Sequence, residues 1–230
     1  MNNESYALFV DNSGSVGGCN HYWQTVADII NEYGKDITHY YLWNSNCGLS
    51  SKKEMEQSIE TKRGTGGTNP EWVAKEIVAK QFTNIILVTD GEVGDHSVHG
   101  CDRTLNEAFS ANKFHVRKAV CYVIGNYSEP NLSVTCPFTR RSESKVFSRT
   151  RETALKTIMQ YTQEDYKVLD SLEEISLENF EAKYSNIEQL IIAINMGREG
   201  NPELKAQLVS MKTRLVKELS KKLGKKMNYS

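Results

Sequence analysis

Asp11, Ser13 and Ser15 stand in the run Asp11-Asn12-Ser13-Gly14-Ser15, directly after the apolar stretch Tyr6-Ala7-Leu8-Phe9-Val10. One carboxylate and two hydroxyls in a tight turn are hard oxygen donors, suited to a small hard cation such as Mg²⁺ or Mn²⁺. So few charges in the turn leave such an ion seeking an anionic ligand from outside. Two further segments place oxygen donors where a strand ends or a helix begins. Gly64-Thr65-Gly66-Gly67-Thr68-Asn69-Pro70 is a glycine loop that delivers Thr68 to a helix start, and Thr89-Asp90-Gly91 follows the most apolar strand of the chain. Together Asp11 and Asp90 balance a divalent charge, and Mg²⁺ keeps waters and accepts few protein carboxylates. Ion-mediated adhesion to a carboxylate is the chemistry this set implies.

Other groupings in the sequence compete with that reading. His96, His99 and Cys101 follow Asp90 in a polar stretch expected to be a loop, with spacing that could contribute to a zinc site, though no fourth ligand is evident. Glu92, Asp95, His96 and His99 are more simply a rim around Asp90, where they could contact a partner. Cys19 follows Gly17-Gly18 near a helix start, where the dipole would lower its pKa; packing of a small buried side chain is the plainer role. Neither Ser13 nor Ser15 lies in a G-x-S-x-G elbow with a His/Asp relay, so a nucleophilic enzyme is not expected. The glycine loop could cradle a phosphate at a helix N-terminus, yet it lacks the lysine of a Walker loop, and Asp90 would repel a bare phosphate.

The elements that must position these groups alternate. Residues 6–10 read as a strand buried on both faces. Asn20 to Tyr33 reads as a helix closed by Gly34, and Ile37–Trp43 as a second strand. The polar stretch 44–63 carries at most a short strand near Ser58–Thr61. Asn69-Pro70 opens a helix with Val73, Ala74, Ile77 and Val78 on its apolar face. Asn84–Thr89 is the expected central strand, Asp102 caps a third helix bearing Leu105, Ala108 and Phe109, and Val116–Ile124 is a further strand. Short strands are expected at 132–136 and 145–148. The alternation implies an α/β fold, a doubly wound, mostly parallel sheet flanked by helices, Rossmann-like in architecture. From about Glu152 the pattern turns helical. Leu177, Phe180, Tyr184, Ile187, Ile191 and Ile194 form one seam, and Leu204, Leu208, Met211, Leu215 and Leu219 a second. The expected division is an α/β domain at 1–165 and a helical extension at 166–230. In an open parallel sheet, ligands gather at the carboxyl ends of strands where the winding reverses, and all three donor segments would lie on that edge.

Asp11, Ser13 and Ser15 as D-x-S-x-S, Thr68 in Gly-Gly-Thr-Asn and Asp90 in Val-Thr-Asp-Gly together resemble the metal-ion-dependent adhesion site (MIDAS) of von Willebrand factor A-type (VWA) domains. The resemblance covers roughly residues 5–125. It implies a Mg²⁺ or Mn²⁺ site in which the serines bind directly, the aspartates largely through water, and Thr68 in either way. One coordination position would be left for a Glu or Asp of a protein partner. Intracellular members of this family are often adaptor or assembly subunits, some coupled to AAA+ ATPases. The resemblance thus implies a non-enzymatic binding module rather than a particular partner.

Composition narrows the class. A chain of 230 residues suffices for one large domain with an appendage. Its five cysteines form an odd set without a C-x-x-C pair, so reduced thiols and a cytoplasmic setting are expected. No stretch approaches a membrane span, and the first strand starts so near Met1 that no leader peptide is expected. The net charge of −1 hides an asymmetry: residues 201–230 carry +6 and the rest −7. That basic helix, with Arg140-Arg141, supports the alternative of an RNA-binding protein on a VWA platform, though little aromatic interleaving accompanies it. A metal-dependent phosphohydrolase using Asp11 and Asp90 is a weaker alternative, because no general base is evident.

Overall fold

In the computed structural model, which describes residues 5–125, 132–161 and the single residue 209, the first apolar run becomes strand β1 (Tyr6–Asp11), buried at every position. A short 3₁₀ turn at Gly14–Val16 leads into helix α1 (Asn20–Tyr33). Strand β2 (Ile37–Trp43) then turns back into the short strand β3 (Cys47–Ser50). Helices α2 (Lys52–Thr61) and α3 (Glu71–Lys80) precede β4 (Asn84–Thr89), and α4 (Asp95–Asn112) links it to β5 (Lys118–Ile124). A 3₁₀ turn and the brief helix α5 (Cys136–Thr139) then lead to β6 (Glu143–Arg149).

These strands lie in the order β3-β2-β1-β4-β5-β6. Every pairing is parallel except that of β3, which runs antiparallel to β2. The chain winds outward from β1 in one direction, returns to the centre at β4 and winds outward in the other. The fold is therefore α/β and doubly wound, with its reversal between β1 and β4.

Burial on both faces follows from the period of two along a strand. Leu8, Val10, Ile86, Val88, Val120 and Tyr122 point to one face, where they pack with Tyr22, Trp23, Val26 and Ile29 of α1 and Met55 of α2. Their neighbours Ala7, Phe9, Ile85, Leu87, Ala119 and Cys121 are equally buried on the other. Helix α3, which buries Val73, Ala74 and Ile77, packs against α4. Phe9 stacks on Tyr41 with ring centroids 4.7 Å apart, tying β1 to β2 on the same face as those neighbours. Each fully buried aliphatic side chain contributes about 1.5–3 kcal/mol relative to exposure, so β1 and β4 form a stiff base for whatever their ends carry.

Several sequence expectations are corrected. The strand expected near Ser58–Thr61 is the second half of α2, opened by a capping box in which Ser51 and Glu54 bond reciprocally. Helix α4 begins at Asp95, so Asp102 lies inside it and bonds Asn106 one turn on. The stretch 132–136 is 3₁₀ and helical, with Pro137 near the start of α5. Residues 156–161 form strand β7 (Lys156–Tyr161) where helix is expected. The chain divides into two compact units, 1–157 and 158–230. Both apolar seams fall outside the described residues. No helix among the described residues is long and apolar enough to cross a membrane.

Candidate metal centre

Strands β1 and β4 end side by side at the reversal of winding, and their last residues are polar yet buried. Asp11 is 0% exposed and Asp90 3%. The Ser13 amide donates to Asp11 Oδ1 at 2.8 Å, folding the chain back over the end of β1. Asp11 Oδ2 accepts from the Thr89 hydroxyl at 2.9 Å, which bridges the two strands. The hydroxyls of Ser13 and Ser15 lie 3.0 Å apart. Asp90 Oδ1 accepts from the Glu92 amide at 2.9 Å, whereas Asp90 Oδ2 is buried with no hydrogen-bond partner among the described residues. Behind the pair, the Tyr22 hydroxyl of α1 donates 2.7 Å to the Asp11 carbonyl oxygen and lies 3.3 Å from that of Val88.

The electrostatics follow from burial. Removal from water, and then the negative charge of Asp90, push the Asp11 carboxyl up to about 7, against the pull of its bonds to Ser13 and Thr89. A carboxylate oxygen without a donor, next to a second buried carboxylate, is costly unless a cation or proton offsets it.

The glycine loop is stitched onto the Asp11–Ser15 turn by its backbone. The Thr65 amide donates to Asn12 O at 2.7 Å and the Gly14 amide to Gly66 O at 2.9 Å. From the other side Ser45 Oγ accepts from the Gly67 amide at 3.0 Å, and Asn44 O accepts from the Asn69 amide at 2.8 Å. Thr68 is half-buried between those two anchors, and its hydroxyl makes no hydrogen bond among the described residues. Close approach explains the glycines: a Cβ at Gly64 would overlap the Ser13 carbonyl oxygen and lie 2.6 Å from the Gly17 nitrogen.

Asp11, Ser13, Ser15 and Asp90 thus meet at one ledge, with the Thr68 loop bonded to it. The outer residues are more scattered. Glu92 is exposed on the rim, yet the loss of part of its hydration and then the Asp90 charge raise its pKa. His96 and His99 are exposed on the first turns of α4, and Asp95 opens that helix. Cys101 is fully buried on the same helix, so the expected loop of zinc ligands is instead a helix with its thiol in the core and its imidazoles outside. Burial also raises the Cys19 thiol rather than leaving it lowered by the start of α1. None of the five cysteines forms a disulfide.

Thr89 and Tyr22 are structural contributors that the sequence reading passed over. Thr89 was visible beside Asp90; Tyr22 carried no signal beyond its place on the apolar face of α1. Among the described residues no group of three or more His, Cys, Asp or Glu is gathered to hold a metal. The donors at this ledge are two carboxylates and serine hydroxyls, a set fit for a hard cation and poorly fit for a soft one. No protein-family model matches the chain. No curated protein matches it closely enough to serve as a relative.

Proposed function

We propose that this chain is a non-enzymatic binding module of the von Willebrand factor A type, gripping an acidic residue of a protein partner through Mg²⁺ or Mn²⁺. Asp11, Ser13, Ser15, Thr68 and Asp90 would hold the ion. The observation that carries the reading is the buried pair Asp11 and Asp90, with Asp90 Oδ2 lacking a donor among the described residues. Two buried carboxylates cost stability unless something positive offsets them. When bound, a divalent cation supplies a centre to which a partner's carboxylate can add.

The remaining work falls to the chain's own residues. Thr89 and the Ser13 amide fix the orientation of the Asp11 carboxylate. The Glu92 amide fixes one oxygen of Asp90 and leaves the other free. Tyr22 holds the ends of β1 and β4 together beneath them. A role as an adaptor or assembly subunit of a cytoplasmic complex, such as one built on an AAA+ ATPase, would fit a module whose glycine loop lacks the lysine of a Walker loop.

Titration with MgCl₂ should raise the melting temperature by linkage, since an ion that binds only the folded state stabilises it. Asp11→Ala should abolish both that rise and recovery of the partner from lysate. Partner affinity unchanged in excess EDTA would sink the reading.

A further inference from the structure

The turn of the β2–β3 hairpin lies against the glycine loop. Trp43 pairs with Cys47, which leaves Asn44, Ser45 and Asn46 as the turn, and Trp43 also pairs with Asp11 at the end of β1. Asn44 braces the turn: its amide donates to the Asn46 carbonyl oxygen at 2.7 Å, and its Oδ1 accepts from the Asn46 amide at 3.1 Å. Three bonds then join this hairpin to the donor segments. Trp43 O accepts from the Asn12 amide at 2.8 Å, and Asn44 O from the Asn69 amide at 2.8 Å. Ser45 Oγ accepts from the Gly67 amide at 3.0 Å. The hairpin thus holds the Asp11–Ser15 turn and the glycine loop at once, and Ser45 Oγ is the side-chain acceptor of the three.

The stretch this hydroxyl holds is the least constrained part of the loop. Gly66 sits at φ +77° and Gly67 follows it, so two residues without a Cβ precede Thr68. The Gly14 amide fixes the Gly66 carbonyl oxygen, and Asn44 fixes the Asn69 amide. Between those points the one hydrogen bond among the described residues runs from Gly67 to Ser45, and Thr68 makes none. A Cβ built on either Gly66 or Gly67 would stand 3.4 Å from Ser45 Oγ, so the hydroxyl lies over both. We propose that Ser45 is a positioning residue for the ion site: its hydroxyl orders Gly67 and so holds Thr68, the fifth proposed donor, in place before an ion arrives. The inference rests on the reading of the ledge as a Mg²⁺ or Mn²⁺ site. It adds that the ion's affinity depends on a hairpin that carries none of the five donors. Without the hydroxyl, an arriving ion would itself have to order two glycines, the residues with the most backbone freedom to lose, and its binding would weaken by that cost.

Ser45 is exposed, so Ser45→Ala should fold as the wild type does and melt at nearly the same temperature in EDTA. Isothermal titration of the full chain with MgCl₂ should show affinity reduced about three- to tenfold, the size expected for one net hydrogen bond. Ser45→Thr keeps the hydroxyl and should restore affinity to within about twofold of wild type. Asn46→Ala removes the next side chain of the same turn, which is exposed and makes no hydrogen bond among the described residues, and should leave affinity unchanged. Hydrogen exchange in EDTA reads the ordering without the ion. The Gly67 amide should exchange faster in Ser45→Ala, while the Thr65 and Asn69 amides, bonded to backbone carbonyls, keep their protection. Wild-type affinity in Ser45→Ala, no rescue by Ser45→Thr, an equal loss in Asn46→Ala, or unchanged exchange at Gly67 would each overturn the positioning role. The two readings fail separately. A wild type that takes up no Mg²⁺ removes the ion and the role of Ser45 with it; a wild type that binds Mg²⁺ no better than Ser45→Ala removes Ser45 alone.

Discussion

Asp11 concentrates the energetic conflict in this molecule. Its carboxyl is completely buried, sits beside Asp90, and is pushed up to about 7. A folded-state pKa above the unfolded value of about 3.9 means that the native protein holds a proton the unfolded chain has lost. The contribution to stability is therefore fully present at low pH and fades as pH rises through about 7. In EDTA, the melting temperature of the wild type should fall relative to that of Asp11→Asn between pH 5 and 8. The variant cannot ionise there, so it should be the more stable protein at pH 8 without metal, yet gain nothing from Mg²⁺. A difference between the two proteins that stays constant with pH would remove the buried charge as the cause. Asp11→Asn is thus expected to cost the proposed function while helping the fold, as substitutions at strained sites commonly do.

The glycine loop is the element that carries Thr68 and is bonded by its backbone to the Asp11–Ser15 turn, and its docking depends on absent side chains. Gly64→Ala would press a methyl group onto the Ser13 carbonyl and the Gly17 nitrogen, both backbone atoms that cannot swing aside. Overpacking of this kind costs about 1–3 kcal/mol. Relief should come by lifting the loop, breaking the bonds from Thr65 to Asn12 and from Gly14 to Gly66. Gly64→Ala should weaken Mg²⁺ binding at least about tenfold by isothermal titration. Gly67→Ala, whose added Cβ would meet only the Ser45 hydroxyl at 3.4 Å, should leave it within about twofold. Equal effects from the two substitutions would show that the loop's seating is irrelevant. At this scale the sequence was legible wherever burial wrote a long apolar pattern, as in β1, α1, β4 and β5. It misled where packing is thin. Helix α2 buries only Met55 fully, so its periodicity was faint, and the Ser51–Glu54 capping box was the signal to read. Asp102 looked like a cap because Asp favours helix starts, yet α4 had begun at Asp95. Strand β7 was lost because Lys156–Tyr161 shows neither a clean alternation nor a flanking turn signal that outweighs the helical pattern after it. The candidate donors, by contrast, stand where short side chains follow buried strands or, for Thr68, a glycine loop, and their types can be read directly. The seating of Asp90 Oδ2 without a donor could not, because it depends on the packing of β1 against β4.

Across the whole chain, the ledge and the charge asymmetry support different partners and can be separated. Residues 201–230 carry +6, while the preceding residues carry −7 and contain all five proposed ion donors. A carboxylate gripped by an ion at Asp11 and Asp90 needs strands β1 and β4, which lie within residues 6–89. An RNA-binding surface would need the basic stretch, because phosphate contacts supply most non-specific affinity and release counterions as they form. Deleting residues 201–230 leaves those donors and strands in place. The shortened chain should keep the rise in melting temperature with MgCl₂ and the EDTA-sensitive capture of its partner, with at most about a twofold change in affinity. Partner binding by the full chain should also fall only modestly between 50 and 200 mM NaCl, since one inner-sphere carboxylate is not a row of phosphates. If deletion instead abolishes binding, and full-chain affinity drops by orders of magnitude over that salt range while ignoring Asp11→Ala, the basic stretch is the functional surface. The ledge would then be a fold feature whose buried charge answers to a proton alone.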